Sequence, residues 1–74
     1  MDYIADVGKF VIVEFTREGQ PAIAKGKLDS VEKITNGKVL LRIINLNDSD
    51  KINIIAEDSI QSYFARPFKE EVSR

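Results

Sequence analysis

The chain contains no cysteine and no histidine. The first absence excludes disulfide staples and thiolate chemistry. The two together remove the usual zinc ligands, the commonest general base and the strongest side-chain nucleophile. No run of about 18 apolar residues occurs, so no membrane-spanning helix is expected. Excess positive charge is also missing: 11 Lys and Arg stand against 12 Asp and Glu, for a formal net charge of −1. Holding nucleic acid by bulk charge is therefore not the expected mode, although a local basic patch stays open. The opening stretch, MDYIADVGK, begins with an acid and lacks both a basic region and a long apolar core. It does not read as a secretory signal, and the expected location is the cytoplasm. Glycine-rich phosphate loops are absent. Asp48 and Asp50 lack the spaced acids and closing glutamate of a calcium loop. Glu57 and Asp58 are adjacent on a tight turn and unsuited to converge on one substrate. The expectation is no enzyme, no cofactor, no metal and no small-molecule substrate.

With 74 residues the chain makes one domain. A chain this short buries only about 60% of its unfolded surface. Of the usual supports for so small a core, oligomerisation remains once disulfides and metals are gone.

What is present is a series of short β-branched and aromatic runs separated by turn residues. Asp2 is a fair N-cap, Tyr3 and Val7 share a face, and Gly8 is a natural stop, which predicts one or two helical turns over 2–7. Strands are expected at 10–15, 22–34, 39–44, 52–56 and 60–65. The polar stretch 16–21 reads as a hairpin loop, and Asn36-Gly37 is a strong hairpin signal. The second strand exceeds the common length of about 5–6 residues, so it must bend. Gly26, flanked by Ala24 and Leu28 on one face and by Ile23, Lys25 and Lys27 on the other, is placed to allow that. The pattern predicts an all-β, small, five-stranded and strongly bent SH3-like barrel over 1–66 with a short N-terminal helix. Residues 67–74 form a charged tail or short helix.

These residues resemble the Sm-like family. The residues that carry the resemblance are Tyr3-Ile4, Gly8-Lys9, Val11, Val13 and Phe15 at the opening. Gly19, Gly26, Leu28, Glu32 and Asn36 follow as a first motif, and 55–60 stands as a second. The resemblance covers nearly the whole chain in order and spacing. It implies a barrel whose fourth strand pairs with the fifth strand of the next copy, giving a hexameric or heptameric ring. It also implies single-stranded RNA as partner, bound by loops near the pore. Carried over, Glu32 and Asn36 take the base-reading positions, Ile34 the stacking position and Ala56 the arginine position, with Lys33 and Lys38 beside them. Ile34 has no π face and Ala56 no charge, so the implied base preference is altered. Ile52, Ile54, Ile55, Tyr63 and Phe64 are the implied subunit interface. The fourth strand carries apolar side chains on both faces and no charge or proline in its interior, an edge suited to pairing.

Without the family, Glu32 is a solvated charge on a bent strand and Asn36 a turn former. Lys25, Lys27, Lys33 and Lys38 then make a charged outer face or a basic strip. The competing function is an SH3-like protein-interaction or scaffold module that does not bind nucleic acid.

Overall fold

The structure, a computed structural model, describes residues 3–67. Apart from Pro67, the expected tail lies outside the described residues. Five strands follow one another: β1 (Phe10–Arg17), β2 (Gln20–Lys33), β3 (Val39–Asn45), β4 (Ile52–Ala56) and β5 (Ile60–Arg66). They form one antiparallel sheet in the order β4-β3-β2-β1-β5. The all-β class and the bent five-stranded arrangement agree with the sequence.

The expected hairpin loop at 16–21 is shorter than its composition suggests. β1 runs on to Arg17 and β2 begins at Gln20, leaving only Glu18-Gly19 as the turn. Both have positive φ, 52° and 78°. That is the type I′ arrangement, whose twist matches that of the flanking strands.

Alternation along β1 buries Val11, Val13 and Phe15 and turns Phe10, Ile12 and Glu14 outward. These three join Ala24 and Leu28 of β2, Leu41 and Ile43 of β3, Ile55 of β4 and Tyr3 in a single core. The 14 residues of β2 reach from one hairpin to the other by two devices. At Gly26 the backbone of β3 comes so close that a Cβ would run into the carbonyl oxygen of Ile44 and lie 2.8 Å from its carbonyl carbon. Three residues later the register with β3 slips between Leu28 and Ser30, leaving Asp29 as a bulge. The slip changes the phase of the strand. Ala24, Gly26 and Leu28 are inward before it and Val31 after it, opposite Leu41. A second register shift, between Glu14 and Phe15 of β1, lets β5 bulge at Gln61.

The expected short N-terminal helix is a single 3-10 turn, Tyr3–Asp6; Val7 lies outside it and is exposed, so it does not share the buried face of Tyr3 as its spacing suggests. So few residues cannot sustain α-helical bonds alone. Gly8, at φ 94°, diverts the chain immediately afterwards. The segment is anchored to the barrel instead: the Gly8 amide donates to the Leu28 carbonyl (2.8 Å) and the Leu28 amide to that of Lys9 (3.0 Å). Tyr3 meets Tyr63 edge-on at 4.9 Å between centroids. The Tyr63 hydroxyl donates to Asp6 Oδ2 (2.9 Å), and Lys9 Nζ donates to Asp6 Oδ1 (3.1 Å). The Lys9 bond, helped by Tyr63 and opposed by partial burial, holds the Asp6 carboxyl below its ordinary range. Burial, and then the Asp6 bond and its charge, push the Tyr63 phenol well above its own.

Two predictions follow from this architecture. Gly26→Ala must displace β3 backbone and should destabilise by at least ~2 kcal/mol in urea unfolding. Gly19→Ala, strained only by its positive φ, should cost about 1 kcal/mol. Equal losses would show that the Gly26 contact is relaxed easily. The second prediction concerns pH. A carboxyl lowered in the native state contributes stability that is present above about pH 4 and is lost as pH falls through the lowered value. A raised phenol contributes stability that is present below about pH 10 and is lost as pH climbs through the raised value. Asp6→Asn should therefore flatten the acid limb of stability against pH. Tyr63→Phe should cost about 1 kcal/mol at neutral pH and remove Tyr63's share of the alkaline decline.

Candidate functional site

The loop between β2 and β3 is built by its Asn-Gly pair. The Gly37 amide donates to the Ile34 carbonyl (2.9 Å), and the Ile34 amide donates to the Lys38 carbonyl (2.9 Å). Gly37 alone takes positive φ, 86°, so the loop is a turn closed by a glycine bulge and not a type I′ pair. Asn36 Oδ1 accepts from the Lys38 amide (3.3 Å), the side chain-to-backbone bond that suits asparagine to turns. Asn36 therefore does act as a turn former here, whatever else it does.

Pairing of β3 with β4 brings a second loop alongside. Leu40 lies opposite Ala56, the last residue of β4, and a 3-10 turn, Glu57–Ser59, follows at once. Ser59 Oγ closes that turn by donating to the Ala56 carbonyl (2.8 Å). Between the two loops is a groove of 220 Å³ walled by Asn36, Gly37, Lys38, Val39, Glu57 and Asp58. It is smaller than the ~300–1,000 Å³ of sites that enclose a drug-sized molecule, so it can hold only part of a larger ligand. Lys38 Nζ reaches Asp58 Oδ2 across it at 3.4 Å, with both side chains more than half exposed. Glu57 lies beside Tyr3, whose phenol is raised by burial and then by this carboxylate.

The candidate residues divide accordingly. Asn36 and Lys38 meet in the groove wall. Ala56 is next to it through its pairing with Leu40, which itself lies opposite Glu32, so Glu32, Leu40 and Ala56 form one cross-strand row. Lys33 ends β2 opposite Val39, and Ile34 stands exposed at the foot of the hairpin; neither forms part of the wall. Asp58, which the sequence offered only as half of an acidic pair, proves to be Lys38's partner. The signal that locates it is hairpin arithmetic: counting β4 back against β3 places 57–58 beside 36–38.

The candidate interface residues divide too. β4 and β5 each have one neighbour in the sheet, so each presents an outer edge. Ile52 and Ile54 point outward, Ile54 at 58% exposure, whereas the Ile55 side chain belongs to the core at 2%. On β5, Phe64 is exposed, while Tyr63 is half-buried against Tyr3 and bonded to Asp6.

Comparison with family models, curated proteins and solved structures finds no match. Among the described residues no helix is long and apolar enough to cross a membrane, and no group of three or more acids could hold a metal ion. Asp48 instead accepts the Asp50 amide (3.1 Å), and Asn45 Oδ1 accepts those of Asn47 (2.8 Å) and Asp48 (3.2 Å), so both side chains shape the loop between β3 and β4.

An exposed ion pair contributes about 0–1 kcal/mol. Lys38→Ala and Asp58→Asn should therefore each leave thermal unfolding almost unchanged, and so serve as clean probes of the groove. A loss above about 2 kcal/mol in either would show that the pair is structural.

Proposed function

We propose that this chain is a subunit of a closed ring of identical copies that binds single-stranded RNA in the groove between the β2–β3 hairpin and the turn before β5. The observation that carries the reading is the meeting of Asn36 and Lys38 with that turn, on a sheet whose two outer edges are β4 and β5. The Sm-like resemblance supplies the ring and the ligand. The groove supplies a cation and an amide whose oxygen is engaged, leaving its NH2 group to meet a base edge. The edges supply the means of assembly. The outward Ile52 and Ile54 on β4 and Phe64 on β5 are the apolar side chains a joint between copies would cover.

Base preference differs from that of a pocket built on an aromatic and an arginine. Ile34 offers no stacking plane, and the arginine position is Ala56. Affinity then rests on Lys38 and Lys33 for phosphate and on Asn36 for the base. A second reading has a specific observation in its favour. Glu57 and Asp58 put two carboxylates on the groove, and phosphate avoids such charge. Under that reading the barrel is a protein-interaction module, with or without a ring, and RNA does not bind.

Native mass spectrometry with and without a short uridine-rich RNA separates the two readings. The proposal expects a closed multiple of the chain mass and a further increment with RNA that weakens steeply with salt. Asn36→Ala should reduce affinity by roughly tenfold, the worth of one good hydrogen bond at about 1.4 kcal/mol, without changing the particle. Ile54→Lys, at an exposed position, should leave the monomer folded and dissociate the ring by placing an unpaired charge in the joint. A monomer that ignores RNA at low salt defeats the proposal.

A further inference from the structure

A second groove lies on the outer face of the sheet, away from the loops at 36–38 and 57–59. It encloses 510 Å³ and is lined by Phe10, Ile23, Lys25, Asn45, Leu46 and Asn47. Its apolar wall is conspicuous for an outer face: Ile23 is 59% exposed and Leu46 53%. Its rim is mostly cationic, with one carboxylate beside it, that of Glu14, which stands opposite Ile23 and accepts from Ser62 Oγ (3.0 Å). Strand pairing sets Arg66, Phe10, Lys27 and Ile44 in one continuous cross-strand row, and Phe64, Ile12 and Lys25 in the next. Arg66 places its guanidinium 5.1 Å from the centre of the Phe10 ring. Lys25, Lys27 and Arg66 take part in no ion pair among the described residues. The far wall is held ready, because the Asn45 side chain fixes the amides of Asn47 and Asp48 and with them the backbone on either side of Leu46.

We propose that this groove docks an acidic peptide segment of a protein partner, with an apolar side chain seated between Ile23 and Leu46 and flanking carboxylates on Lys25, Lys27 and Arg66. Charge complementarity selects the carboxylates: Lys25 lines the groove and Lys27 and Arg66 flank Phe10 in its cross-strand row, against the single carboxylate of Glu14, on a chain whose formal net charge is −1. The aliphatic wall selects the anchor. Ile23 and Leu46 give no plane for a nucleobase, and Phe10, the aromatic ring among the described lining residues, has the Arg66 guanidinium over it. A second copy of the chain fits poorly, since a two-fold contact through this patch would bring like cations face to face. The groove lies on β1, β2 and the β3–β4 loop, so this inference is independent of the RNA reading and of the ring.

The test uses the full chain, a short fluorescein-labelled peptide alternating glutamate with leucine, and three controls. In one control lysine replaces glutamate, in another serine replaces leucine, and the third is a uridine oligonucleotide. Anisotropy gives affinity, and methyl spectra of Ile23 and Leu46 report the place. The glutamate–leucine peptide should shift both methyl sets, and each control peptide should bind at least about tenfold more weakly. The double variant Lys25→Glu, Lys27→Glu should weaken binding by about tenfold or more, as should Leu46→Ser; all three changes are at exposed positions and should leave thermal unfolding nearly unmoved. The proposal fails if the lysine peptide binds equally well, or if the oligonucleotide shifts the same methyls more tightly. It fails equally if those signals move with protein concentration alone, which would make the occupant a second copy. Binding seen only after deletion of 68–74 would make the chain's own terminus the occupant and overturn it too.

Discussion

β3 can follow β2 around the barrel because residue 26 has no side chain. The Ile44 carbonyl occupies the space where a Cβ would stand, and the two backbones stay paired through that point. Much else depends on this crossing. It lets one long strand belong to both hairpins, so that β1 packs against its first half and β3 against its second. It places Leu28, Leu41 and Ile43 over Val11 and Val13 in one core without a second sheet. The Asp29 bulge completes the bend by shifting the phase of the strand, which keeps Val31 on the inside after the turn.

That division explains what the sequence made legible and what it did not. The strands and the faces of β2 around Gly26 are legible in alternation and in one glycine. The phase change at Asp29 is not, because a bulge is a property of two strands and leaves no mark in the spacing of one. The loop at 16–21 was overestimated because polar residues and a proline read as loop, whereas positive φ at Glu18 and Gly19 is enough to turn the chain in two residues. The N-terminal segment keeps the expected short helical turn but not the expected face, since Tyr3 is buried and Val7 exposed, and it is held to the barrel by Tyr63, Asp6 and Leu28. At the candidate site, Asn36 and Lys38 were legible as a loop. Their neighbour Asp58 became visible only through the pairing of Leu40 with Ala56.

The near-zero net charge conceals an uneven distribution. Carboxylates of Glu57 and Asp58 gather where the β2–β3 hairpin meets the turn before β5. Ammonium and guanidinium groups of Lys25, Lys27 and Arg66 gather around the outer-face groove. A polyanion would be drawn more strongly to the second region than to the first. Any RNA bound between Asn36 and Lys38 must therefore be held by close contacts and not by the field of the surface.

Assembly and recognition are also separable in this fold. The sheet ends in β4 and β5, whereas the outer-face groove is set mainly on β1 and β2, the strands with neighbours on both sides. A joint between β4 and β5 of successive copies would cover Ile54 and Phe64 and leave Ile23, Lys25 and Leu46 accessible. Each copy added to a ring would then add one peptide groove and one loop groove at fixed spacing. Weak sites repeated in that way gain through effective concentration what each lacks in contact area. For a domain whose own core is this small, closure of the ring would stabilise the barrel and multiply its surfaces in a single step.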